Sequence, residues 1–143
     1  MLLIDPAGCI LMFLQYGKDR AVAPRWITPG GGVDPGEDHD QAAARELLEE
    51  TGVVAHGLGP AFLEEDFDPD QRWHPYQRGH WAWYALRVDR FEPDRAGWTD
   101  EEVADVVEWR WFNADELRDE HVNRYEVEPA DLPDILNERL HLT

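Results

Sequence analysis

The sequence predicts an α+β chain, a mixed β-sheet with helices packed against it. Three observations carry this. Residues 1–4 and 9–16 are apolar, β-prone runs joined by Asp5-Pro6-Ala7-Gly8, a turn with Pro at i+1 and Gly at i+3, so the chain opens on a hairpin. Residues 31–53 are a glycine-rich loop leading into one helix. Several further β-prone runs then precede a last amphipathic helix, a mixture that argues for a layered sheet-and-helix architecture. A length of 143 residues with 43% apolar content suits a single domain over 1–143 with a real core.

In order along the chain, residues 17–24 form a polar loop, and Trp26-Ile27-Thr28-Pro29 is a short strand entering three glycines. Residues 53–54 and 61–63 read as one broken strand, bent at His56-Gly57-Leu58-Gly59-Pro60. Residues 64–77 read as a long loop rich in Pro and Asp. Residues 79–88 alternate with both faces largely apolar, which predicts a central strand covered on both sides. A loop with Pro93 and Gly97 leads to Asp100-Glu101-Glu102, then to a strand over 106–112 with Trp109 and Trp111 on one face. A short helix is expected over 115–118. A last helix opens at Glu128-Pro129 and runs to about residue 141, with Leu132, Leu136 and Leu140 on one face. A chain that starts inside its first strand points to a start lying upstream, or to an edge that a partner covers.

The helix after the glycine loop carries the chemistry. Asp38 is a good N-cap, Gln41 completes a capping-box spacing, and Gly52 is placed as a left-handed stop. Glu46, Glu49 and Glu50 stand at i, i+3 and i+4 and so share one face. Such like charges repel, and a hard cation such as Mg²⁺ or Mn²⁺ among them would offset the cost. Arg45 can pair with Glu49 one turn on, or with Glu37 from the loop. In a chain this acidic, the plainer reading of a glutamate-rich face is solvation. The preceding glycine loop and the isolated Arg45 weigh against that, and the residues stand in a fixed pattern: Gly31, five residues, Glu37, seven residues, Arg45-Glu46-Leu47, one residue, Glu49-Glu50, one residue, Gly52-Val53.

That pattern resembles a complete Nudix box, with every defining position filled, and the chain resembles a MutT-like Nudix hydrolase over most of its length. The box itself spans 23 of the 143 residues. The resemblance implies an α/β/α sandwich around a mixed β-sheet. It implies a Nudix-type pyrophosphohydrolase (a hydrolase, or pyrophosphatase, acting on nucleotides) in which water attacks one phosphorus of a nucleoside diphosphate linked to another moiety, with Mg²⁺ as cofactor and Mn²⁺ as substitute. By the same resemblance Glu49 and Glu50 are the main metal ligands, Glu46 is a ligand or the base, the Gly30 carbonyl is a further ligand, and Arg45 orients a glutamate. The family often takes its base, or another ligand, from a loop after the box. Glu102 is the candidate here, slightly ahead of Glu101, with Glu64 and Glu65 behind them. The plainer reading of Glu101 and Glu102 is an acidic loop or the first turn of a small helix.

The substrate is less legible. Arg72, Trp73, Tyr76 and Arg78 could stack on a base and hold phosphates, and they could equally anchor their own loop. His74 and His80 could touch a phosphate, and each is more simply a plain loop or core histidine. No NADH-type or coenzyme A signature is present. Pro69, sixteen residues beyond Val53, is one off the spacing of ADP-sugar enzymes. A nucleoside triphosphate and an ADP-ribose-like compound fit equally.

A formal net charge of −18, with Lys18 the one lysine against twelve arginines, disfavours nonspecific binding to duplex nucleic acid or anionic membrane. The resemblance implies a small nucleotide-type diphosphate as partner, and the charge adds the expectation of no nucleic-acid polymer and no membrane. Cys9 is alone, so no internal disulfide forms, and a small buried strand residue is its plainest role. No apolar run reaches transmembrane length and no signal segment opens the chain, which places it in the cytoplasm. Seven tryptophans fit a homodimer interface as well as a core. Two other functions compete with hydrolysis. A non-catalytic nucleotide-binding module on the same fold would be expected to lack box glutamates, and none is missing. An isoprenoid diphosphate isomerase would need a cysteine and histidine-rich metal site, which Cys9 does not supply.

Overall fold

The computed structural model describes residues 1–68 and 79–141. Its strands are β1 (Leu2–Ile4), β2 (Ile10–Gln15), β3 (Arg25–Ile27), β4 (Leu63–Phe67), β5 (Gly79–Trp83), β6 (Ala85–Arg87) and β7 (Val106–Phe112). Its helices are α1 (His39–Thr51), α2 (Asp100–Asp105), α3 (Ala114–Asn123) and α4 (Leu132–Leu140), with a 3₁₀ turn at Arg95–Gly97.

β2 is the centre of the main sheet. β7 runs antiparallel along its full length, from Ile10↔Phe112 to Gln15↔Val106. β1 pairs at Ile10 and β3 at Phe13, Leu14 and Gln15. β6 extends the sheet beyond β1 in parallel, which makes the sheet mixed. Ile10 to Leu14 are all buried because the strand is covered on both faces. Ile10, Met12 and Leu14 pack with Trp26, Phe112, Leu117, Leu132 and Leu136 under α3 and α4. Leu11 and Phe13 pack with Leu47 and Ala43 of α1 and with Trp109 and Trp111. The result is the expected helix–sheet–helix sandwich.

Four expectations are corrected. The central strand is β2, not residues 79–88. That segment breaks at Tyr84, where β5 leaves to pair only with β4 in a separate two-stranded ribbon. Its apolar faces are explained differently on each side of the break: Trp83 and Tyr84 are buried, while Trp81 is 40% exposed beside Phe67. The long loop begins later than expected, because Leu63–Phe67 is strand; Glu64, Glu65 and Asp66 have low β propensity but tolerate an exposed ribbon. Residues 53–54 and 61–62 lie in irregular chain, which bends at Gly57 and Gly59, both at positive φ. The short helix over 115–118 is longer, Ala114–Asn123, capped by an Asn113–Glu116 box and burying Leu117 and Glu120.

Buried Trp26 ties the layers together. Its ring meets Phe112 edge-on at 4.8 Å, and its indole N–H donates to Glu120 Oε2 at 2.9 Å. Glu120 also accepts from Arg124 at 2.9 Å, so no charge is left uncompensated. Trp26→Ala is expected to cost about 3–5 kcal/mol in urea unfolding, and a loss under about 1 kcal/mol would remove Trp26 from the centre of the fold.

Candidate active site

The site is built on α1. Asp38 Oδ1 accepts from Gln41 N at 2.8 Å and Gln41 Oε1 accepts from Asp38 N at 2.9 Å, the reciprocal cap that the spacing predicted. Gly52 ends the helix at φ +80° and donates to the Leu48 carbonyl at 2.9 Å. Ala42, Leu47 and Thr51 are buried, which fixes the helix on the sheet and turns its glutamates toward the glycine loop.

Arg45 is the hub of that side. Its guanidinium donates to Glu37 Oε1 at 2.6 Å, Glu46 Oε1 at 2.8 Å, Glu49 Oε2 at 3.2 Å and the Gly32 carbonyl at 2.9 Å. Both expected partners, Glu37 and Glu49, are there. These bonds hold the Glu37 carboxyl below the usual range and keep Arg45 charged. Glu46 lies against Gly31: a Cβ there would stand 2.3 Å from Glu46 Oε1, so the glycine is required for space.

Opposite Arg45, Glu46 and Glu50 meet Glu102. Each offers a ligand oxygen, and the three lie within 4.8 Å of one another. Burial raises the Glu46 carboxyl, against the pull of Arg45. Burial pushes Glu50 up to about 8, although Gly30 N donates to its Oε2 at 2.7 Å. Glu102 comes from α2, where it is also the third residue of a capping box: its Oε2 accepts from Thr99 N at 2.7 Å and Thr99 Oγ1 accepts from Glu102 N at 3.2 Å. Glu102 therefore belongs to a small helix and at the same time brings a carboxylate beside Glu46 and Glu50. Partly buried oxygens from three carboxylates, with Arg45 engaging only one of the three, are a donor set that a hard divalent cation fits.

Other candidates are placed differently. Glu49 stands outside the three-carboxylate group, 45% exposed and held by Arg45. Gly30 presents its N–H to Glu50. Glu101 is exposed. Glu64 and Asp66 flank His80, at 3.2 and 2.7 Å, on the ribbon, and His80 stacks near His39 at 5.1 Å. Glu65 is exposed on the same ribbon. Pro69, Arg72, Trp73, His74, Tyr76 and Arg78 lie outside the described residues. Sequence reasoning missed Tyr84, whose hydroxyl donates to Asp40 and pins the β5–β6 break to the start of α1.

A NUDIX domain family model matches residues 1–131. The chain belongs to the Nudix family. As an enzyme it is a Nudix-type hydrolase, the class that the box implied. An RNA pyrophosphohydrolase of Afipia carboxidovorans is 34% identical over 122 residues, covering 78% of this chain and 73% of that protein. Nudix hydrolase 25 of Arabidopsis thaliana is 33% identical over 68% of this chain and 63% of its own length. The fold is shared with the MutT protein of Methanosarcina mazei Go1, at TM-score 0.65 and 19% identity over 98% of this chain and 88% of that one. It is shared also with the Escherichia coli dihydroneopterin triphosphate pyrophosphohydrolase, at TM-score 0.67 and 16% identity over 98% and 93%. Divalent-metal use is general in Nudix hydrolases, and the Glu46–Glu50–Glu102 group is where this chain could bind one.

The raised Glu50 pKa sets a pH dependence. A carboxyl whose folded pKa lies above its ordinary 4.5 stabilises the fold fully below about 4.5 and loses that contribution as pH rises through about 8. In EDTA, Tm is therefore expected to fall between pH 5 and pH 9, less so in Glu50→Gln. An equal slope in both proteins would count against Glu50 as the source.

Proposed function

We propose that this chain is a divalent-metal-dependent pyrophosphohydrolase of a nucleoside diphosphate linked to another moiety, a nucleoside triphosphate or ADP-ribose-like compound, with residues 1–143 as one catalytic domain. The convergence of Glu46, Glu50 and Glu102 beside Arg45 carries the reading. We assign Glu46, Glu50 and Glu102 as metal ligands, with Glu49 a further carboxylate on the same helix face and the Gly30 carbonyl a further donor. The ion is Mg²⁺, with Mn²⁺ as substitute, because all-oxygen sites suit these hard cations. Bound there, the ion would neutralise diphosphate oxygens and lower the pKa of water. Arg45 orients Glu46 and Glu49 through charge-assisted hydrogen bonds. Removal of the proton from the attacking water falls to Glu46, Glu49 or Glu102, and such a base contributes roughly 10²–10⁴ in rate. Arg72, Trp73, Tyr76 and Arg78 are proposed to bind the substrate. A cytoplasmic setting is part of the proposal; among the described residues no helix is long and apolar enough to cross a membrane.

The names of the relatives favour a second substrate, the diphosphate linkage at an RNA 5′ end. The net charge of −18 argues against nonspecific contact along a polyanion. It does not bear on a site that grips a terminal phosphate through a metal, since a bound cation inverts the local charge. The bare expectation of no nucleic-acid polymer thus narrows to no nonspecific binding. Whether the protein acts as a homodimer belongs to the same set of proposals.

The test is phosphate and pyrophosphate release, with and without Mg²⁺, from nucleoside triphosphates, ADP-ribose, nucleotide sugars, dinucleoside polyphosphates, NADH and 5′-triphosphorylated RNA. Mg²⁺-dependent turnover of one class is expected, reduced at least roughly a hundredfold by Glu50→Gln. Glu49→Gln should also lose rate while still folding. Turnover of RNA alone would select the second substrate, and turnover of nothing, with Mn²⁺ also tried, would overturn the enzyme reading.

A further inference from the structure

The last turn of α1 carries Glu49 and Glu50, and its terminal carbonyls lack partners within the helix. They find them in residues 94–98. Asp94 N donates to the Thr51 carbonyl at 3.0 Å, and the Trp98 indole N–H donates to the Glu50 carbonyl at 2.7 Å. Between them, the 3₁₀ turn sits directly on the helix backbone: a Cβ at Gly97 would stand 2.7 Å from the Glu49 carbonyl oxygen. Gly52 is met in the same way, with the Asp94 side chain 2.7 Å from where a Cβ would be. The Trp98 ring is itself held edge-on to Phe13 at 5.8 Å and to Trp109 at 6.1 Å, with the Arg95 guanidinium 4.8 Å from its centre. Phe13, Trp98 and Val106 line the same small hollow as Glu50 and Glu102.

We infer that Trp98 is a positioning residue for the carboxylate site, linking Glu50 on α1 to Glu102 on α2. The link is short. Trp98 binds the main chain of Glu50, the next residue is Thr99, and the Thr99 N–H binds the Glu102 carboxylate. A hydrogen bond on the Glu50 carbonyl restrains the backbone torsion beside its Cα. A donor at this helix end also opposes the negative potential that the terminal carbonyls add to the glutamates. An unreplaced indole N–H therefore lets the last turn of α1 and the start of α2 drift apart, and the two carboxylates with them. The inference rests on the metal-site reading proposed above.

Mn²⁺ affinity, counted as free ion by electron paramagnetic resonance, tests it without any substrate. Trp98→Phe keeps an aromatic ring against Phe13 and Trp109 and removes the N–H. It is expected to weaken Mn²⁺ binding roughly tenfold and to lower kcat more than it raises KM, with Tm little changed. Gly97→Ala, which pushes the turn off Glu49, should weaken Mn²⁺ binding in the same direction and covers the case where the tryptophan variant does not fold. Wild-type Mn²⁺ affinity in both variants would overturn the role of Trp98 while Glu50→Gln still abolished binding. Wild-type protein that binds no Mn²⁺, or binds it equally in Glu50→Gln, would overturn the metal site and this inference together.

Discussion

Like charges at Glu46, Glu50 and Glu102 have to be held with oxygens within 4.8 Å of one another, and much of the surrounding structure answers their repulsion. At an effective dielectric of 20, two unit charges at that distance oppose each other by roughly 3–4 kcal/mol. Three devices relieve it. Arg45 neutralises Glu46 from one side. Glu50 holds a proton up to about pH 8 when no cation is present. Glu102 gives one oxygen to the Thr99 N–H, which spreads its charge into the start of α2. The anionic character that remains is what a divalent cation at this group would offset.

The scaffold supplies stiffness. β2 presents Leu11 and Phe13 to α1 and Ile10, Met12 and Leu14 to α3 and α4, so one strand sets the height of both layers. Phe13 reaches the edge of the hollow beside Glu50 and Glu102, which ties core packing directly to the site. Side chains on rigid, buried elements lose little further freedom when a ligand arrives.

The box was legible because its constraints are local. Asp38 and Gln41 lie three residues apart, Arg45 and Glu49 four, and Gly52 closes the same helix. Glu102 was put forward only through the resemblance, and what separates it from Glu101 is the Thr99–Glu102 capping box that the structure contains. The sheet was harder. Residues 79–88 look as apolar as a central strand should, and nothing local marks Tyr84 as the point where pairing changes; the break depends on Asp40, far away in sequence. β2 carried the better signal, five apolar residues in succession, but its position after a turn made it read as half of a hairpin. β4 was hidden by its acids, because Glu64, Glu65 and Asp66 speak against a strand even though Leu63 packs against the core.

Glu102 has one carboxylate oxygen committed to the Thr99 N–H, and this bears on kinetics. The oxygen committed to Thr99 fixes the direction of the carboxylate before any ion arrives, so the loop is ordered during folding and not at capture. A preorganised cage of this kind leaves loss of the ion's own water shell as the slow event. Mg²⁺ sheds water reluctantly, so for the ion proposed above the rate of filling would follow the chemistry of the ion and not the motion of the protein.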